Sequence, residues 1–582
     1  MKKLLKYLKP YWYIAIGSPI CMILEVLVDL ALPTIMANIV NDSLYAASLE
    51  EGLSVVVSNG TLMILLVLLG GLTGLGAAGF ASAASQSFGN DLRRDAFSHV
   101  MSLSPEQTDK FTVGSLVTRL TNDVTMMQSF VAAALRIFFR SPIMFVGGIV
   151  MSVMINPKFG FIVLISLPVQ LVLVWLVMRK VRPMFDEVQS RLDHVNAVVQ
   201  ENVTGARVVK AYVREDHEIT RFRGANDDLY NRVIRVQYIM AVLAPIMMIV
   251  MNLSVIAVIL LGGYEVQGGV IEVGDVTAVI LYITQILHSV MMFAGMFQFI
   301  SRAQASAKRI NEVMDAEPVI CGGTYEGTGT EKKKGHVVYK NVAFRYPGTH
   351  GLPVLHHIDL DIKPGENIAI LGTTGSGKTS FVQMIPRYYD PTEGEILLDG
   401  VPVKDYTLDA LRGKIAYVLQ KSELFSGTIA ENLRWGNENA TDEELREAAS
   451  IAQAEEFISK FAAGYDTMIS EKGASLSGGQ KQRLAIARAL LKKPDVLIFD
   501  DSMSALDVAT GAKLQQALRR KLSSLTVITI AQRVASVMNA DRIIVLDGGT
   551  IAACGTHDEL IESSAIYRDI YESQLKRGES IE

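Results

Sequence analysis

The stretch GTTGSGKT at residues 372–379 fits the pattern G-x-x-x-x-G-K-[ST], in which a glycine-rich loop binds phosphates. The apolar run Ile368–Leu371 before it predicts a strand, and the segment Ser380–Arg387 after it predicts a helix. The glycines allow backbone N–H groups to surround phosphate oxygens. Lys378 supplies a positive charge for the β- and γ-phosphates, and the Thr379 hydroxyl can ligate Mg²⁺. We therefore expect a nucleotide site formed by Gly372, Thr373, Thr374, Gly375, Ser376, Gly377, Lys378 and Thr379.

Two further motifs lie downstream of this loop. The apolar strand Val496–Phe499 ends in Asp500, and a carboxylate at that end of a strand beside a P-loop is the expected second anchor for Mg²⁺. The other motif precedes a helix predicted at about 482–491, whose N-terminus can face an anion. It consists of Leu476, Ser477, Gly478, Gly479 and Gln480. Both motifs favour a C-terminal α/β domain that binds nucleotide.

The order and spacing of these motifs resemble those of the ATP-binding cassette (ABC) ATPases. Within that resemblance, Tyr346 matches the aromatic residue that stacks on adenine, and Gln420 matches the glutamine that joins the metal site to the transmembrane domain. Asp507 ends the segment Ser504–Asp507, which matches the D-loop, and Gly555–Leu560 matches a common C-terminal stretch. The resemblance implies ATP and Mg²⁺ as cofactors. The implied metal-binding residues are Thr379, Gln420 and Asp500.

The N-terminal half of the chain is rich in long apolar stretches. A membrane-spanning helix needs about 20 mostly apolar residues. We predict six spans, at about 12–40, 55–84, 130–155, 158–180, 238–262 and 276–301, with a tight turn at 156–158. Basic residues such as Arg93 and Arg179 cluster before the first span and after the second and fourth, whereas Glu50 and Glu272 lie in acidic loops after the first and fifth. Positive loops stay in the cytoplasm, so both termini are expected inside.

Two cytoplasmic connections, at about 85–129 and 181–237, have the residue spacing of helices and mixed charge. We expect the spans to continue through them as helices, with short crosswise helices near Asp109–Leu116 and Val213–Phe222. The predicted domains are a transmembrane domain at 1–315, a linker at 316–334 and an ATP-binding cassette at 335–582. The fold class is multidomain: an all-α six-helix transmembrane domain with long cytoplasmic helical extensions, fused to an α/β P-loop cassette.

With these spans and extensions, nearly the whole chain resembles a bacterial ABC exporter half-transporter. The resemblance implies that two half-transporters dimerise and sandwich ATP between the P-loop of one cassette and the signature loop, residues 476–480, of the other. It implies a second half-transporter as partner, a lipid environment in the inner (plasma) membrane, a cytoplasmic cassette and an amphipathic substrate. The net charge of −5 gives no indication of nucleic acid binding.

Two positions depart from the family pattern. Asp501 stands where the family has a catalytic glutamate, and Gln532 stands where it has a switch histidine. Aspartate is one methylene shorter than glutamate, and a misplacement of about 1 Å can cost on the order of 10²-fold in rate. Glutamine cannot transfer a proton as histidine does. The pattern resembles the catalytically degenerate subunit of heterodimeric multidrug exporters. The alternative is a homodimer in which Asp501 is a working base.

Polar and flexible side chains within the spans are candidates for substrate contact. Glu25 and Asp29 lie four residues apart on one helix face, where they either line a cation-attracting cavity or bond to a neighbouring helix. Methionines in the last two spans either repack around varied ligands or serve only in packing. The candidates are Met247, Met251, Met292 and Met296.

Two other functions remain open: an importer, and a nucleotide-gated regulatory subunit or channel that does not pump.

Overall fold

The structure is a computed structural model that describes residues 1, 3–327, 334–521 and 524–579. Residues 328–333 of the predicted linker and residues 522–523 and 580–582 of the predicted cassette lie outside this described part. The chain divides into two compact units. One comprises Met1–Met101 and Gly114–Ala316, and the other comprises Ser102–Val113 and Glu317–Glu582. Residues 102–113, inside the predicted transmembrane domain, therefore pack with the cassette.

Long helices form the first unit, because its sequence is apolar over lengths that suit a membrane. Among the described residues, six helices are long and apolar enough to cross a membrane, which confirms the prediction of a domain with six apolar helices. A 3₁₀ helix at Leu4–Tyr11 precedes the first span, and a π-helical segment at Arg119–Asp123 precedes the third. The α-helices up to residue 314 are α1 (Trp12–Leu44), α2 (Leu49–Ser102), α3 (Pro105–Phe111), α4 (Val113–Thr118), α5 (Val124–Ile155), α6 (Pro157–Thr204), α7 (Ala206–Ala211), α8 (Glu215–Gln267) and α9 (Val273–Met314).

The turn between α5 and α6 lies where the sequence predicts it. The Asn156 side chain caps α6 by accepting a hydrogen bond from the backbone N–H of Lys158 at 3.0 Å, and Pro157 occupies the first helical position. The buried Glu265 of α8 accepts hydrogen bonds from Asn156 Nδ2 at 3.1 Å and from Lys158 Nζ at 2.5 Å. These bonds hold the turn against α8.

The first crosswise helix lies close to its predicted place, but the second prediction was wrong. Near residues 109–116 the chain forms α3 and α4 in succession. The second short helix is α7, at Ala206–Ala211, whereas residues 215–222 already belong to the long helix α8. The physical reason is the break around Val213, which has a φ of 52°, and the acidic first turn of α8, which favours a helix N-terminus there.

The cassette contains a larger, mostly parallel sheet and a smaller antiparallel one. The larger sheet has the strand order β12-β11-β3-β10-β9-β6 and the smaller one β2-β1-β4-β5, while β7 pairs with β8. The strands are β1 (Val337–Phe344), β2 (Leu355–Ile362), β3 (Asn367–Gly372), β4 (Glu393–Leu398), β5 (Val401–Pro402), β6 (Ile415–Val418), β7 (Gly427–Thr428), β8 (Met468–Ile469), β9 (Val496–Asp500), β10 (Thr526–Ile530), β11 (Arg542–Asp547) and β12 (Thr550–Gly555). The helices are α10 (Lys378–Gln383), α11 (Leu408–Lys414), α12 (Ile429–Arg434), α13 (Asp442–Ile451), α14 (Glu455–Ile458), α15 (Gly478–Leu491), α16 (Val508–Lys521), α17 (His557–Ser563) and α18 (Ala565–Glu579).

Parallel pairing brings the motif residues of the cassette to one edge of the larger sheet. Ile530 of β10 lies opposite both Ile370 of β3 and Asp500 of β9. The loops that follow these three strands therefore leave the sheet side by side, as is typical of ligand sites in parallel α/β sheets. Every residue of β9 and of β10 is buried, which suits parallel strands covered on both faces.

Candidate functional site

The P-loop forms a tight turn between β3 and α10. Gly375 and Gly377 have φ angles of 87° and 91°, which glycine adopts at little cost. A Cβ at Gly377 would lie 2.8 Å from Leu355 Cδ2, so the loop also needs glycine for space. Lys378 Nζ donates hydrogen bonds to the carbonyl oxygens of Gly372 and Thr373 at 2.8 Å each, which turns its charge back over the loop. Burial lowers the pKa of the Lys378 ammonium group from its usual value.

The predicted metal anchors meet beside this loop. Thr379 Oγ1 donates a hydrogen bond to Asp500 Oδ1 at 3.0 Å, and Tyr417 Oη donates one to Asp500 Oδ2 at 2.7 Å. Burial raises the pKa of the Asp500 carboxyl group, since desolvation disfavours its charged form. Burial and the neighbouring Asp500 also raise the pKa of Tyr417, which keeps its hydroxyl protonated as a donor. Tyr417 was not predicted from the sequence, because a tyrosine in a short strand carries no motif.

Asp501 occupies an unusual backbone and hydrogen-bond environment. Its φ of 51° is in the left-handed region, which few residues other than glycine, asparagine and aspartate adopt. Its Oδ2 atom accepts hydrogen bonds from Gln420 Nε2 at 2.9 Å and from Gln532 Nε2 at 2.6 Å. Its Oδ1 atom is buried without a hydrogen-bond partner among the described residues. The structure thus joins Asp501 and Gln532, which depart from the family pattern, to Gln420, which fits it.

These groups surround a cavity of about 380 Å³. Ser376 Oγ, like Asp501 Oδ1, is buried without a partner in the part of the chain that the structure describes. Buried polar atoms ordinarily find partners, and Asp501 lines the cavity, so its Oδ1 atom is available to a ligand there. A glycine turn, a lysine, a hydroxyl and carboxylates are a suitable donor set for a triphosphate with Mg²⁺. The residues that line the cavity include Tyr346, Thr374, Gly375, Gly377, Lys378, Thr379, Gln420, Asp501 and Gln532.

Tyr346 stands at the wall of this cavity, where the sequence places the adenine. Its hydroxyl shares a hydrogen bond of 2.9 Å with Ser380 Oγ. Its ring packs edge-on against Phe344 and Tyr389, with ring centroids 4.9 Å and 5.3 Å away. Tyr389 in turn donates a hydrogen bond of 3.2 Å to Asp109 of α3, a contact that no sequence pattern indicates.

The signature loop is built as a helix start rather than as part of this cavity. Ser477 caps α15 by accepting a hydrogen bond from the backbone N–H of Gln480, whose side chain accepts one from the Ser477 N–H at 2.9 Å. Leu476 is buried and anchors the loop, while a Cβ at Gly478 would meet no atom within 4 Å. Asp507 caps α16 through the Thr510 N–H at 2.8 Å. Neither Asp507 nor the signature loop is among the described residues that line the P-loop cavity.

The transmembrane candidates separate into two groups. Glu25 and Asp29 both form ion pairs with Arg140 of α5, the Asp29 Oδ2 atom at 2.9 Å from Arg140 Nη2. This is the alternative in which they bond to a neighbouring helix. A cavity of about 540 Å³ in the first unit is lined by Asp29 and Met292, but its described wall does not include Glu25. Met247, Met251 and Met296 are also absent from the described wall of this cavity, and Met247 and Met296 are buried.

Comparison with known proteins agrees with this geometry. Residues 15–290 match the ABC transporter transmembrane region, and residues 355–504 match the ABC transporter family. The chain is 40% identical over 577 residues to the uncharacterized ABC transporter ATP-binding protein YfiB of Bacillus subtilis, with 99% of both chains covered. It is 31% identical over 586 residues to the probable multidrug resistance ABC transporter ATP-binding/permease protein YheI of the same organism, covering 99% of this chain and 97% of YheI.

A helical membrane domain fused to a P-loop cassette with these motifs defines a membrane transport ATPase. The chain belongs to the ABC transporter family, as an exporter-type half-transporter. Half-transporters of this family function as dimers, and the cassette makes the assembled protein an ATP-hydrolysing transporter.

Removal of the Asp500 charge is expected to weaken MgATP binding by about 10- to 100-fold, as losses around a metal site typically do. The Asp500→Asn chain would be titrated with ATP in Mg²⁺ and in EDTA, and the loss should appear only with Mg²⁺. Tyr417→Phe removes the 2.7 Å hydrogen bond and leaves the carboxylate, so a smaller loss of about tenfold is expected. An equal loss in Mg²⁺ and EDTA would instead mean a damaged P-loop and no metal role.

Proposed function

We propose that this chain is the ATPase-impaired subunit of a heterodimeric exporter that moves amphipathic small molecules, lipids or peptides out of the cytoplasm by alternating access. The observation that carries the proposal is the environment of Asp501. It takes the position of the base, and one of its oxygens is held by both Gln420 and Gln532. The name of the relative YheI describes a multidrug resistance transporter, which supports the substrate class.

The geometry of Asp501 is unfavourable for a general base. Such a base must reach the attacking water and accept its proton. Asp501 Oδ2 already accepts two amide hydrogen bonds, and its side chain is one methylene shorter than glutamate. A misplacement of about 1 Å can cost on the order of 10²-fold in rate. Gln532 can donate a hydrogen bond to a phosphate oxygen but cannot carry a proton. Lys378, Thr379 and Asp500 are all present, so the site is expected to hold MgATP and to turn it over slowly.

The signature loop supports the complementary half of the proposal. Ser477 and the open Gly478 begin the 14-residue helix α15, whose first N–H groups and dipole favour an anion. This loop is separate from the P-loop cavity of its own chain among the described residues. It is therefore available to complete a site on a partner's P-loop, where a partner with a glutamate base would supply most of the turnover.

The domain and membrane arrangement follows from the same proposal. We assign residues 1–315 to the transmembrane domain, 316–334 to the linker and 335–582 to the cassette. The cassette and both termini face the cytoplasm, because the basic loops of the membrane domain do so. The membrane is the inner (plasma) membrane. The second candidate function, a nucleotide-gated subunit that does not pump, is favoured only by the impaired base.

The test is ATP hydrolysis by this chain purified alone and purified with a candidate partner half-transporter. Turnover by the chain alone is expected to be about 100-fold below that of the pair, because a preparation of this chain alone contains only impaired P-loop sites. ATP binding by the chain alone, measured in parallel, should remain.

Two outcomes would contradict the proposal. Steady turnover by the chain alone would make Asp501 an adequate base and a homodimeric exporter the better account. Turnover by the pair without uphill transport of any amphipathic probe into inverted vesicles would favour the nucleotide-gated subunit. The control is the pair with Lys378→Ala in this chain, which should keep most of the turnover because the partner's P-loop remains intact.

A further inference from the structure

Two cavities adjoin each other in the membrane domain. The polar cavity, of about 540 Å³, is lined in part by Asp29, Arg136, Arg140 and His288. The apolar cavity, of about 330 Å³, is lined in part by Phe145, Leu167, Leu171 and Val290. Ser141 and Ser289 belong to the walls of both. Each volume is within the range of small-molecule sites. The shared serines place the polar cavity beside the apolar one, and we call the two together the composite site.

The charges of the polar cavity are not equivalent. The guanidinium group of Arg140 is engaged by two carboxylates, through Nη1 with Glu25 and through Nη2 with Asp29. Glu25 lies against α2, since a Cβ at Gly74 would be 3.1 Å from its Oε2 atom. Arg136 lies four residues before Arg140, on the same face of α5. Among the described residues, Arg136 has no hydrogen bond or ion pair. Arg136 therefore carries the unpaired charge of the described cavity wall, and that charge is positive.

Two neutral groups are also available to a ligand. Ser141 is 2% exposed, and its hydroxyl has no partner in the described part of the chain. Gln285 donates a hydrogen bond to the carbonyl oxygen of Asp29 at 3.2 Å, while its Oε1 atom has no described partner. A hydroxyl buried without a partner costs free energy, which a ligand that accepts its hydrogen bond would recover. Ser141 lies at the boundary of the two cavities, where the polar head of an amphiphile would meet its tail.

We propose that this composite site binds an amphipathic anion, with a phosphate or carboxylate head at Arg136 and Ser141 and an alkyl tail in the apolar cavity. A cationic head would meet the unpaired charge of Arg136 in the same cavity, where Arg140 already pairs with the Asp29 carboxylate. The inference deepens the proposed export function by naming a substrate class, and it rests on that function for the transport step alone.

The experiment measures equilibrium binding of radiolabelled dodecyl phosphate to the full chain in nanodiscs of zwitterionic lipid. Dodecyl phosphate is expected to bind at least tenfold more tightly than dodecyltrimethylammonium, because only the anion gains a charge-assisted hydrogen bond. Arg136→Gln should weaken binding of the phosphate about tenfold and should not weaken binding of the ammonium, since a like charge is removed. The matched control, Arg179→Gln, removes an arginine of α6 that stacks on Trp175 away from the cavity, and it should change neither.

The tail position is tested separately. In the unchanged chain, dodecyl phosphate should bind more tightly than butyl phosphate, because each methylene adds buried apolar surface. Leu171→Trp fills the apolar cavity and should remove most of that difference while butyl phosphate binds as before. An equal loss with Arg136→Gln and Arg179→Gln would overturn the site, since it would indicate only an attraction to the bilayer surface. Tighter binding of dodecyltrimethylammonium than of dodecyl phosphate would also overturn the proposed site.

The assay needs neither ATP nor a partner, so a failed hydrolysis experiment leaves the binding result unaffected. Binding that depends on Arg136, combined with an absence of dodecyl phosphate transport by an actively hydrolysing pair, would overturn the substrate role. Transport of the phosphate that Arg136→Gln reduces would support both inferences.

Discussion

Ser477→Arg in this chain is expected to reduce ATP turnover of the assembled transporter by about 100-fold or more. The substitution places a long charged side chain at the start of α15, removes the Ser477 cap and closes the approach to its first N–H groups. Loss of one pre-organised donor to a reacting phosphate or oxyanion typically costs 10²- to 10³-fold. If the signature loop completes the productive site on the partner's P-loop, the loss is nearly total. Turnover of the purified pair is the measurement.

Asp501→Asn in the same pair provides the contrast. It removes the carboxylate at the base position of this chain's own site, and turnover is expected to stay within about twofold of the unchanged pair, because that site contributes little. Ser459→Arg adds the same charge at an exposed serine after α14, and it should also leave ATP turnover unchanged. A loss with Asp501→Asn as large as that with Ser477→Arg would contradict the asymmetric assignment of the two sites.

The double substitution Asp501→Glu with Gln532→His is expected to raise hydrolysis at this chain's own site by about 100-fold. Glutamate restores the reach of the base, and histidine replaces the amide donor that lies 2.6 Å from Asp501 Oδ2. A placed general base contributes about 10²- to 10⁴-fold, so the gain should be large. The measurement is made in a pair that also carries Ser477→Arg in this chain, because that change silences the partner's site.

The single substitutions separate the two contributions. Asp501→Glu alone should give a smaller gain, because Gln532 and Gln420 can still donate to the new carboxylate. Gln532→His alone should give little gain, because the base remains short. MgATP binding should be equal in all variants, which shows that the P-loop is intact. No gain from the double substitution, at unchanged ATP binding, would mean that something other than these two residues limits the site.

Motif and span predictions agree with the structure where they depend on local sequence. The P-loop turn requires glycines at positive φ and a lysine that begins α10, and residues 375, 377 and 378 satisfy these requirements within a few positions. Spans require only apolar length, and all six are found among the described residues. The cap at Asn156 and the proline after it end α5 by local geometry alone. The second crosswise helix was misplaced, because a break at Val213 depends on one backbone angle that hydrophobic spacing does not reveal.

Local sequence is enough to establish the fold class, the order of the cassette motifs and the residues at the base and switch positions, since each is a property of neighbouring residues. The contacts that these residues make with one another depend instead on how distant parts of the chain pack together. Gln420 with Asp501, Tyr417 with Asp500 and Arg140 with Asp29 are contacts between residues 81, 83 and 111 positions apart in the chain. The unpaired charge of the membrane cavity has the same origin. Glu25 and Asp29 indicate a negative surface in the sequence, but Arg140 pairs with both carboxylates from another helix. Arg136 is left as the unpaired charge of the described wall, because charges within a membrane are stabilised by pairing with one another.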